Sequence, residues 1–265
     1  MPRHSRKGAA DCGQPHKLRT ISASGDACEI NIDTFNADIE IISTADPVLS
    51  IKFSGSLRPH FTEKDGRISV LQKKTLLSRI IRPCLKIFVP ECTVPDVNVN
   101  MQTGNIAING GIYNDTVIRG GEIKAQLSGA TFENLQVKAD ALDVSAENMT
   151  VKNIANTLAG DGRVEIDKTF CKKAECRVKK GNIGICNSSC DYAILNSDEG
   201  NIAASMLGCE SDYTVALNGN ICGKKGGNPA KCIKARAAKG SVVLDFENGP
   251  RFIEADEMDY EELGA

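Results

Sequence analysis

A glycine followed two residues later by isoleucine or valine recurs along most of this chain. The instances are Gly104-Asn105-Ile106, Gly121-Glu122-Ile123, Gly162-Arg163-Val164, Gly181-Asn182-Ile183, Gly200-Asn201-Ile202, Gly219-Asn220-Ile221 and Gly240-Ser241-Val242. The spacing is nearly constant except between Gly121 and Gly162, where a degenerate coil, Asp140 to Val144, divides the longer interval. Repeats of this kind are typical of solenoids. The sequence therefore predicts an all-β solenoid whose coils have about 19–21 residues.

The repeat also predicts which side chains form the core. Residues two and four positions after the glycine are expected to point inward, as Ile106/Ile108, Ile123/Ala125, Leu142/Val144, Val164/Ile166, Ile183/Ile185, Ile202/Ala204 and Val242/Leu244. The glycine supplies the positive φ of a tight corner. We expect the asparagines that follow it to satisfy backbone groups there, namely Asn105, Asn182, Asn201 and Asn220. The pattern leaves open whether each coil has two faces or three.

Composition divides the chain into three regions. Residues 1–24 are predicted to be a disordered basic leader, residues 25–248 the solenoid, and residues 249–265 an acidic tail. The repeat is interrupted at 57–83, which we interpret as an inserted loop or hairpin. Apolar runs are shorter than the ~18 residues of a membrane span. No secretory signal pattern follows the first methionine. We therefore expect an intracellular protein, cytoplasmic or mitochondrial.

Net charge limits the class of partner, and the scarcity of large side chains limits the composition of the core. The net charge is −2, so no global basic field favours nucleic acid. Aromatic residues make up only 5% of the chain and tryptophan is absent, so small and β-branched residues must fill the core. No cofactor is expected. The partner is expected to be a protein.

Eleven cysteines raise the question of a thiol or metal site. Cys171, Cys190 and Cys209 share one register and are separated by equal intervals of one coil, which predicts a ladder of stacked thiols. The ladder is open to three interpretations: a buried apolar stack, a metal site with these three ligands, or disulfides. The unpaired count and the expected compartment favour free thiols.

Catalytic patterns are sparse in the repeats. The three histidines, His4, His16 and His60, all precede Gly104, and no phosphate-binding loop is found. We therefore predict that the chain is not an enzyme. Basic residues cluster in the C-terminal half and predict a partner-binding face formed by Lys179, Lys180, Lys224, Lys225, Lys231, Lys234, Arg236 and Lys239. These lysines are equally typical of charges that keep β edges from aggregating.

One family shares these motifs in the same order. The strand Ile87-Phe88-Val89-Pro90, the alternation Val97-Asn98-Val99 and then Gly104-Asn105-Ile106 with recurrent G-[ND]-I coils resemble the putative-adhesin β-solenoid domain. The resemblance covers roughly residues 25–248. It implies a right-handed, single-stranded β-solenoid of unknown function, found in bacteria and related to a poorly characterised animal protein. It brings no catalytic motif, and its animal relatives imply an intracellular setting.

Four functions remain open at the level of sequence. We favour a non-catalytic binding or scaffold module. The alternatives are a secreted or surface adhesin, which predicts disulfides, and a carbohydrate-active β-helix enzyme, which predicts a convergent carboxylate pair. The last is a thiol or metal protein that uses the cysteine ladder.

Overall fold

Every long element in the part of the chain that the structure describes is a β-strand. The structure, a computed structural model, describes residues 19–23, 28–54, 59–72, 74, 82–218, 220–222, 231–247 and 252–255. Its strands are β1 (Arg19–Ala23), β2 (Glu29–Thr44), β3 (Leu49–Ser54), β4 (His60–Lys64), β5 (Arg67–Leu71), β6 (Cys84–Pro90), β7 (Asp96–Asn109), β8 (Ile112–Ser128), β9 (Thr131–Glu147), β10 (Thr150–Asp167), β11 (Phe170–Glu199), β12 (Ile202–Met206), β13 (Thr214–Leu217), β14 (Asn220–Cys222), β15 (Cys232–Lys239), β16 (Ser241–Phe246) and β17 (Phe252–Ala255). The described residues contain one turn of 3-10 helix, Glu210–Asp212.

The long strands stack in parallel and bend at a corner, so each contributes to two sheets. Val164 pairs with Ile183 and Ile183 with Ile202, in each case the equivalent residue of the next coil. We call the part before the bend the first sheet and the part after it the second sheet. The strand β11 passes a second corner, at Asn187, and returns to the first sheet. The first sheet also contains β5 and β15, and the second contains β6, β12 and β16. The predicted all-β, solenoid-like repeat is confirmed.

The core lies between the sheets and is filled by columns of like residues. One column runs through Ile106, Ala125, Val144, Val164, Ile183, Ile202 and Val242, all buried. Tyr113 and Phe132 add a stacked aromatic pair whose ring centroids are 5.4 Å apart. Side chains of similar size repeat at the interstrand spacing, so neighbouring coils pack without large gaps.

Glycine forms the corner between the two sheets in most of the coils. Gly104, Gly162, Gly181, Gly200 and Gly240 have φ values between +135° and +146°. A Cβ on Gly200 would lie 2.1 Å from the carbonyl oxygen of Gly181. Glycine is therefore required both by the backbone conformation and by the close approach of the coil beneath it.

The predicted alignment of two coils is wrong by two residues. Gly104 pairs with Ile123, Ile123 with Leu142, and Leu142 with Gly162, so Gly121 does not occupy the glycine position of the corner. Because the shift is even, Ile123 and Leu142 still point inward, as predicted.

The asparagines after the glycine satisfy backbone groups of the next coil. The side-chain oxygen of Asn182 accepts a 2.8 Å hydrogen bond from the Asn201 backbone N–H. That of Asn201 accepts a 2.9 Å bond from the Ser241 N–H. Their predicted role is confirmed. Asn105 differs, since its amide donates to the Asp38 carboxylate at 2.7 Å. The side chain of Asn220 lies outside the described residues.

The opposite corner has a second column of special backbone conformations, which the sequence analysis did not find. Gly110, Gly129, Asn148, Lys168 and Asn187 have φ values between +47° and +70°. Backbone hydrogen bonds connect successive corners, as from Asn148 N–H to the Asp167 carbonyl. Glycine and asparagine tolerate this left-handed region, whereas a lysine is strained in it.

Replacing the strained lysine should stabilise the protein. We expect Lys168→Gly to raise the free energy of unfolding by about 0.5–1 kcal/mol, because relief of left-handed strain exceeds the added chain entropy. The ion pairs lost, at 3.5 and 3.8 Å, are exposed and contribute little. Urea unfolding measures the change. Lys138→Gly, within β9, is the control and should destabilise; an equal loss in both variants contradicts the assignment.

At each end of the solenoid, the coils do not follow sequence order. Gly240 stacks directly on Gly200, and β15 lies between β11 and β13. The predicted coil at Gly219-Asn220-Ile221 is therefore wrong, because Asn220–Cys222 forms an antiparallel hairpin with β13. Gly219 itself lies outside the described residues. Similarly, β2 lies between β7 and the pair β5 and β6.

Antiparallel strands lie at the ends of both sheets. In the first sheet, β4 pairs with β5 and β14 with β13; in the second, β3 pairs with β6, β1 with β3, and β17 with β16. Strands in this orientation cover edges that could otherwise pair with another chain. The β4–β5 hairpin falls within the predicted insertion, 57–83.

Two predicted domain boundaries differ from the structure. The strand β1 lies within the predicted disordered leader, 1–24, and its five residues pair with β3. The strand β17 lies within the predicted acidic tail, 249–265. The rest of the leader and tail lies outside the described residues.

Candidate functional site

An inward column of decreasing size leads to the cysteines. Tyr113 pairs with Phe132, Phe132 with Val151, and Val151 with Cys171. Cys190, in the next coil, shares a hydrogen bond with Cys171. Where the side chains of this column become small, the core contains a mostly apolar cavity of about 30 Å³. This volume is enough to hold a water molecule.

The cysteine cluster consists of Cys171, Cys176 and Cys190. Burial raises the pKa of Cys176 to about 12. The hydrogen bond to Cys190, together with burial, raises the pKa of Cys171, and the same hydrogen bond lowers that of Cys190 against the effect of burial. Cys171 and Cys176 therefore stay protonated at neutral pH, whereas metal ligation and nucleophilic attack require thiolates.

The predicted ladder is wrong at Cys209. This residue is exposed, because the chain leaves the stack after Met206 and Cys209 precedes the short 3-10 turn. The described residues contain no group of three or more His, Cys, Asp or Glu side chains arranged to hold a metal ion. Cys176 was missed, although its place in the alternation Ala174-Glu175-Cys176-Arg177-Val178 marks an inward position.

A second candidate lies outside, on the first sheet of the last coils. We define the basic face as Lys173, Tyr192, Lys234 and Arg236, which project from β11 and β15. The ammonium groups of Lys173 and Lys234 lie 5.9 and 5.6 Å from the centre of the Tyr192 ring. A hydrogen bond with Tyr192 raises the pKa of Lys234. Among the ion pairs of the described residues, none involves Lys173, Lys234 or Arg236.

The eight basic residues predicted from sequence do not form one face. Lys180 and Lys239 lie immediately before the glycine corner, 3.8 and 3.2 Å from the Glu199 carboxylate. The hydrogen bond from Lys239 lowers the pKa of Glu199, which therefore stays charged and offsets both lysines.

The other predicted residues are dispersed. Lys179 is exposed near the corner, and Lys231 lies 5.3 Å from the ring centre of Tyr213. Lys224 and Lys225 lie outside the described residues. The sequence-based prediction of the face did not include Lys173 and Tyr192, because they belong to other coils than Lys234 and are distant from it in sequence. The register between β11 and β15 brings them together.

The outward column that contains Lys173 and Tyr192 carries carboxylates at its other end. Glu29 pairs with Asp96, and the Asp96 carboxylate accepts a hydrogen bond from the Asp115 backbone. These three carboxylates occupy the outward position equivalent to Lys173 and Tyr192. Along this outward column the charge therefore changes sign from one end of the solenoid to the other, with Glu29 itself paired to Arg67.

Two adjoining grooves follow the glycine corner over the N-terminal coils. Their volumes are about 690 and 640 Å³. The larger groove is lined by both charges, including Asp33, Arg119, Lys138 and Asp140. Gln72 also lines it, with both side-chain polar atoms buried and unpartnered. The basic face does not contribute to either groove.

Within the described part of the chain, helices of the length and hydropathy needed to cross a membrane are absent.

Several solved bacterial structures are similar at low identity. A putative adhesin from Parabacteroides distasonis is 14% identical, with a TM-score of 0.40, over 88% of this chain and 96% of that one. A putative adhesin from Bacteroides fragilis is 16% identical, with a TM-score of 0.31, over 87% and 97%. A putative lipid binding protein from Parabacteroides distasonis is 14% identical, with a TM-score of 0.26, over 87% and 96%.

Family membership is shown by a sequence model. No curated protein matches the chain. These comparisons provide no support for the expected animal relatives. The model of the Toastrack DUF4097 family matches residues 28–246, which is most of the chain and includes the whole stack of parallel coils. The chain belongs to the Toastrack DUF4097 family.

Proposed function

We propose that this protein is a non-catalytic binding module whose basic face docks an acidic surface of a partner protein. The observation that carries the proposal is the pair Lys173 and Lys234 beside Tyr192, with Arg236 two residues beyond Lys234 on β15, three cations without a described counter-charge. Tyrosine and arginine are enriched at protein interfaces, where each combines apolar contact with hydrogen bonding.

The sheet beneath the face supports binding without rearrangement. Ala193, Leu195, Ile233 and Ala235 alternate with the outward residues and are at most 2% exposed. Because both strands are fixed by this core, their outward side chains start from defined positions. Little backbone entropy is then lost on binding.

Charge along the sheet favours a compact acidic protein over nucleic acid. Glu175 pairs with Arg177 beside the face, and Glu29, Asp96 and Asp115 follow on the same sheet. A stiff polyanion such as a DNA duplex would also meet these carboxylates, whereas a local acidic patch or a flexible acidic peptide can contact the basic end alone.

The proposal also includes the handedness, the coil length and the cellular location expected from the sequence. The solenoid is right-handed, with coils of about 19–21 residues, and the protein works inside the cell, in the cytoplasm or mitochondria. The metal-binding alternative has less support, since Cys209 lies apart from Cys171 and Cys190. The names of similar bacterial proteins keep adhesion as the second candidate.

A charge-reversal experiment tests the binding proposal. The probe is a fluorescent poly-glutamate peptide of about 20 residues, titrated at about 50 mM salt. Lys234→Glu/Arg236→Glu should weaken binding at least about 10-fold. Arg119→Glu/Lys138→Glu, on the same sheet but away from the face, is the matched control and should change affinity about 2-fold or less. Equal losses in both variants contradict the proposal, and tighter binding of a DNA duplex of equal charge assigns the face to nucleic acid.

Free thiols are the expected state of the cysteines. We expect alkylation after denaturation without reductant to modify all eleven cysteines. In the native protein, the exposed thiols of Cys28, Cys92, Cys186 and Cys209 should react first, and the buried Cys176 and Cys190 only after unfolding. Mass spectrometry of the alkylated protein measures both. Disulfides in the freshly purified protein would instead favour the exported adhesin.

A further inference from the structure

We propose that the acidic partner of the basic face is a second copy of this chain. Two solenoids would pack with the outer surfaces of their first sheets face to face and their axes antiparallel. The basic end of each then lies on the carboxylates at the other end of its partner. The inference rests on the proposed function, because it names the partner of that surface.

One outward column of the first sheet is complementary to itself when its direction is reversed. In stacking order it carries Glu29, Asp96, Asp115, Asn134, a position on β10, Lys173, Tyr192 and Cys232. Against the reversed column of a second copy, Asp115 lies opposite Lys173. Asp96 lies opposite Tyr192, whose hydroxyl can donate a hydrogen bond to a carboxylate. Each contact occurs twice, because a twofold axis relates the two copies.

The outward column beside the glycine corner adds an ion pair at its ends. Asp33 on β2 and Arg236 on β15 occupy equivalent positions at the two ends of the same run of strands. Reversal therefore places Asp33 of one copy opposite Arg236 of the other. Reversal also places Arg119 opposite Arg177, whose charge is offset by a 2.5 Å ion pair with Glu175.

The carboxylates of this arrangement have no described cation of their own. Asp96 and Asp115 accept hydrogen bonds from the side-chain amides of Asn114 and Asn134, at 2.8 and 2.6 Å. Among the ion pairs of the described residues, none involves Asp33, Asp96 or Asp115. The amides position the carboxylates without neutralising them, so a cation across the interface can pair with them.

The twofold axis falls in the middle of the first sheet, between β9 and β10. On one side lie β4, β5, β2, β7, β8 and β9; on the other lie β10, the two first-sheet segments of β11, β15, β13 and β14. The faces of the two copies therefore overlap along their whole length. A parallel arrangement would instead place the cations of one copy on those of the other, which is unfavourable.

The area of this face is adequate for a reversible dimer. The run of strands from β2 to β15 measures about 34 Å along the stack, at about 4.8 Å per step, and about 20 Å across, at about 3.3 Å per residue. Each copy thus offers roughly 700 Å², close to the ~800 Å² per partner of a standard interface. Because the contacts are charged and lie near solvent, salt should weaken them.

Charge reversal with complementation tests the inference. Sedimentation equilibrium of the full chain at about 50 mM salt should show monomer and dimer, and about 500 mM salt should favour the monomer. Lys173→Glu and Asp115→Lys should each weaken dimerisation at least about 10-fold, because each places two like-charged pairs in the interface. An equimolar mixture of the two variants should recover to within about 3-fold of wild type, since both pairs again have opposite charges.

Lys124→Glu is the matched control for the single reversals. It makes the same charge change on the outer surface of the second sheet, and we expect dimerisation to change about 2-fold or less. Equal losses in Lys124→Glu and Lys173→Glu overturn the inference, as does a mixture of Lys173→Glu and Asp115→Lys that stays monomeric.

Peptide binding separates this inference from the proposed function. Asp115→Lys leaves the basic face unchanged and should bind the poly-glutamate peptide at least as tightly as wild type, whose face is partly occupied by the second copy. A wild-type protein that binds the peptide but stays monomeric at about 50 mM salt overturns self-docking and retains the face for another acidic protein. Absence of peptide binding by Asp115→Lys overturns the proposed function.

Discussion

Gly200→Val is expected to lower the free energy of unfolding by about 3 kcal/mol or more. Gly200 has a φ of +146°, which L side chains rarely adopt. Its added Cβ would also meet the Gly181 carbonyl oxygen at 2.1 Å and the Asn182 side-chain oxygen at 3.1 Å. Since these atoms belong to the coil beneath, relief requires the stacked coils to separate.

Urea or thermal unfolding of purified variants measures this loss. Gly184→Ala is the matched control, because Gly184 lies in the same coil as Gly181 without positive φ. A Cβ there has its nearest neighbour at 3.9 Å. We expect the control to retain wild-type stability or gain slightly. An unchanged midpoint for Gly200→Val contradicts the corner assignment.

Phe132→Ala is expected to cost about 4 kcal/mol of stability. The ring is fully buried, stacks on Tyr113 at 5.4 Å, and lies two coils before Cys171 in the same column. The adjoining core already contains a cavity of about 30 Å³ near this column. Removal of the ring would leave a further void, because β-sheet backbones on both sides limit collapse.

Phe170→Ala provides the comparison for this prediction. Phe170 occupies the neighbouring outward column and is 53% exposed. We expect this variant to change stability by less than about 0.5 kcal/mol. Similar losses at both phenylalanines, measured by urea unfolding, contradict the assigned inward and outward registers.

The sequence predicted the features that depend on local backbone chemistry. Gly104, Gly162, Gly181, Gly200 and Gly240 were found because a positive φ in contact with the next coil restricts the residue type. The same local signal misled at Gly121, which lies near the corner but not at its glycine position. Two-residue shifts preserve the alternation of inward and outward residues, so the pattern cannot detect them.

The order of the last coils depends on tertiary packing. Gly219-Asn220-Ile221 matches the repeat at least as well as Gly240-Ser241-Val242. It is nevertheless Gly240 that stacks on Gly200. The chain leaves the stack between Met206 and Thr214 and returns at Cys232. Cys209 lies in the segment that leaves the stack. Its spacing of one coil from Cys190 therefore predicted a ladder that the structure does not contain.

The candidate site could be predicted only in part for a related reason. Lys234 and Arg236 were identified from the density of basic residues, but that density does not show which lysines have an acidic partner. Glu199 neutralises Lys180 and Lys239. Lys173 and Tyr192 join the face through stacking across coils, which a one-dimensional charge pattern does not encode.

Mapping of the poly-glutamate peptide by amide chemical shifts tests the binding face most directly. In isotopically labelled protein, we predict that the largest shifts fall on β11 and β15 around Lys173, Tyr192, Lys234 and Arg236. They should diminish in Lys234→Glu/Arg236→Glu. Shifts centred instead on the grooves beside Arg119 and Lys138, and unchanged by that double reversal, contradict the assignment of the basic face as the binding surface.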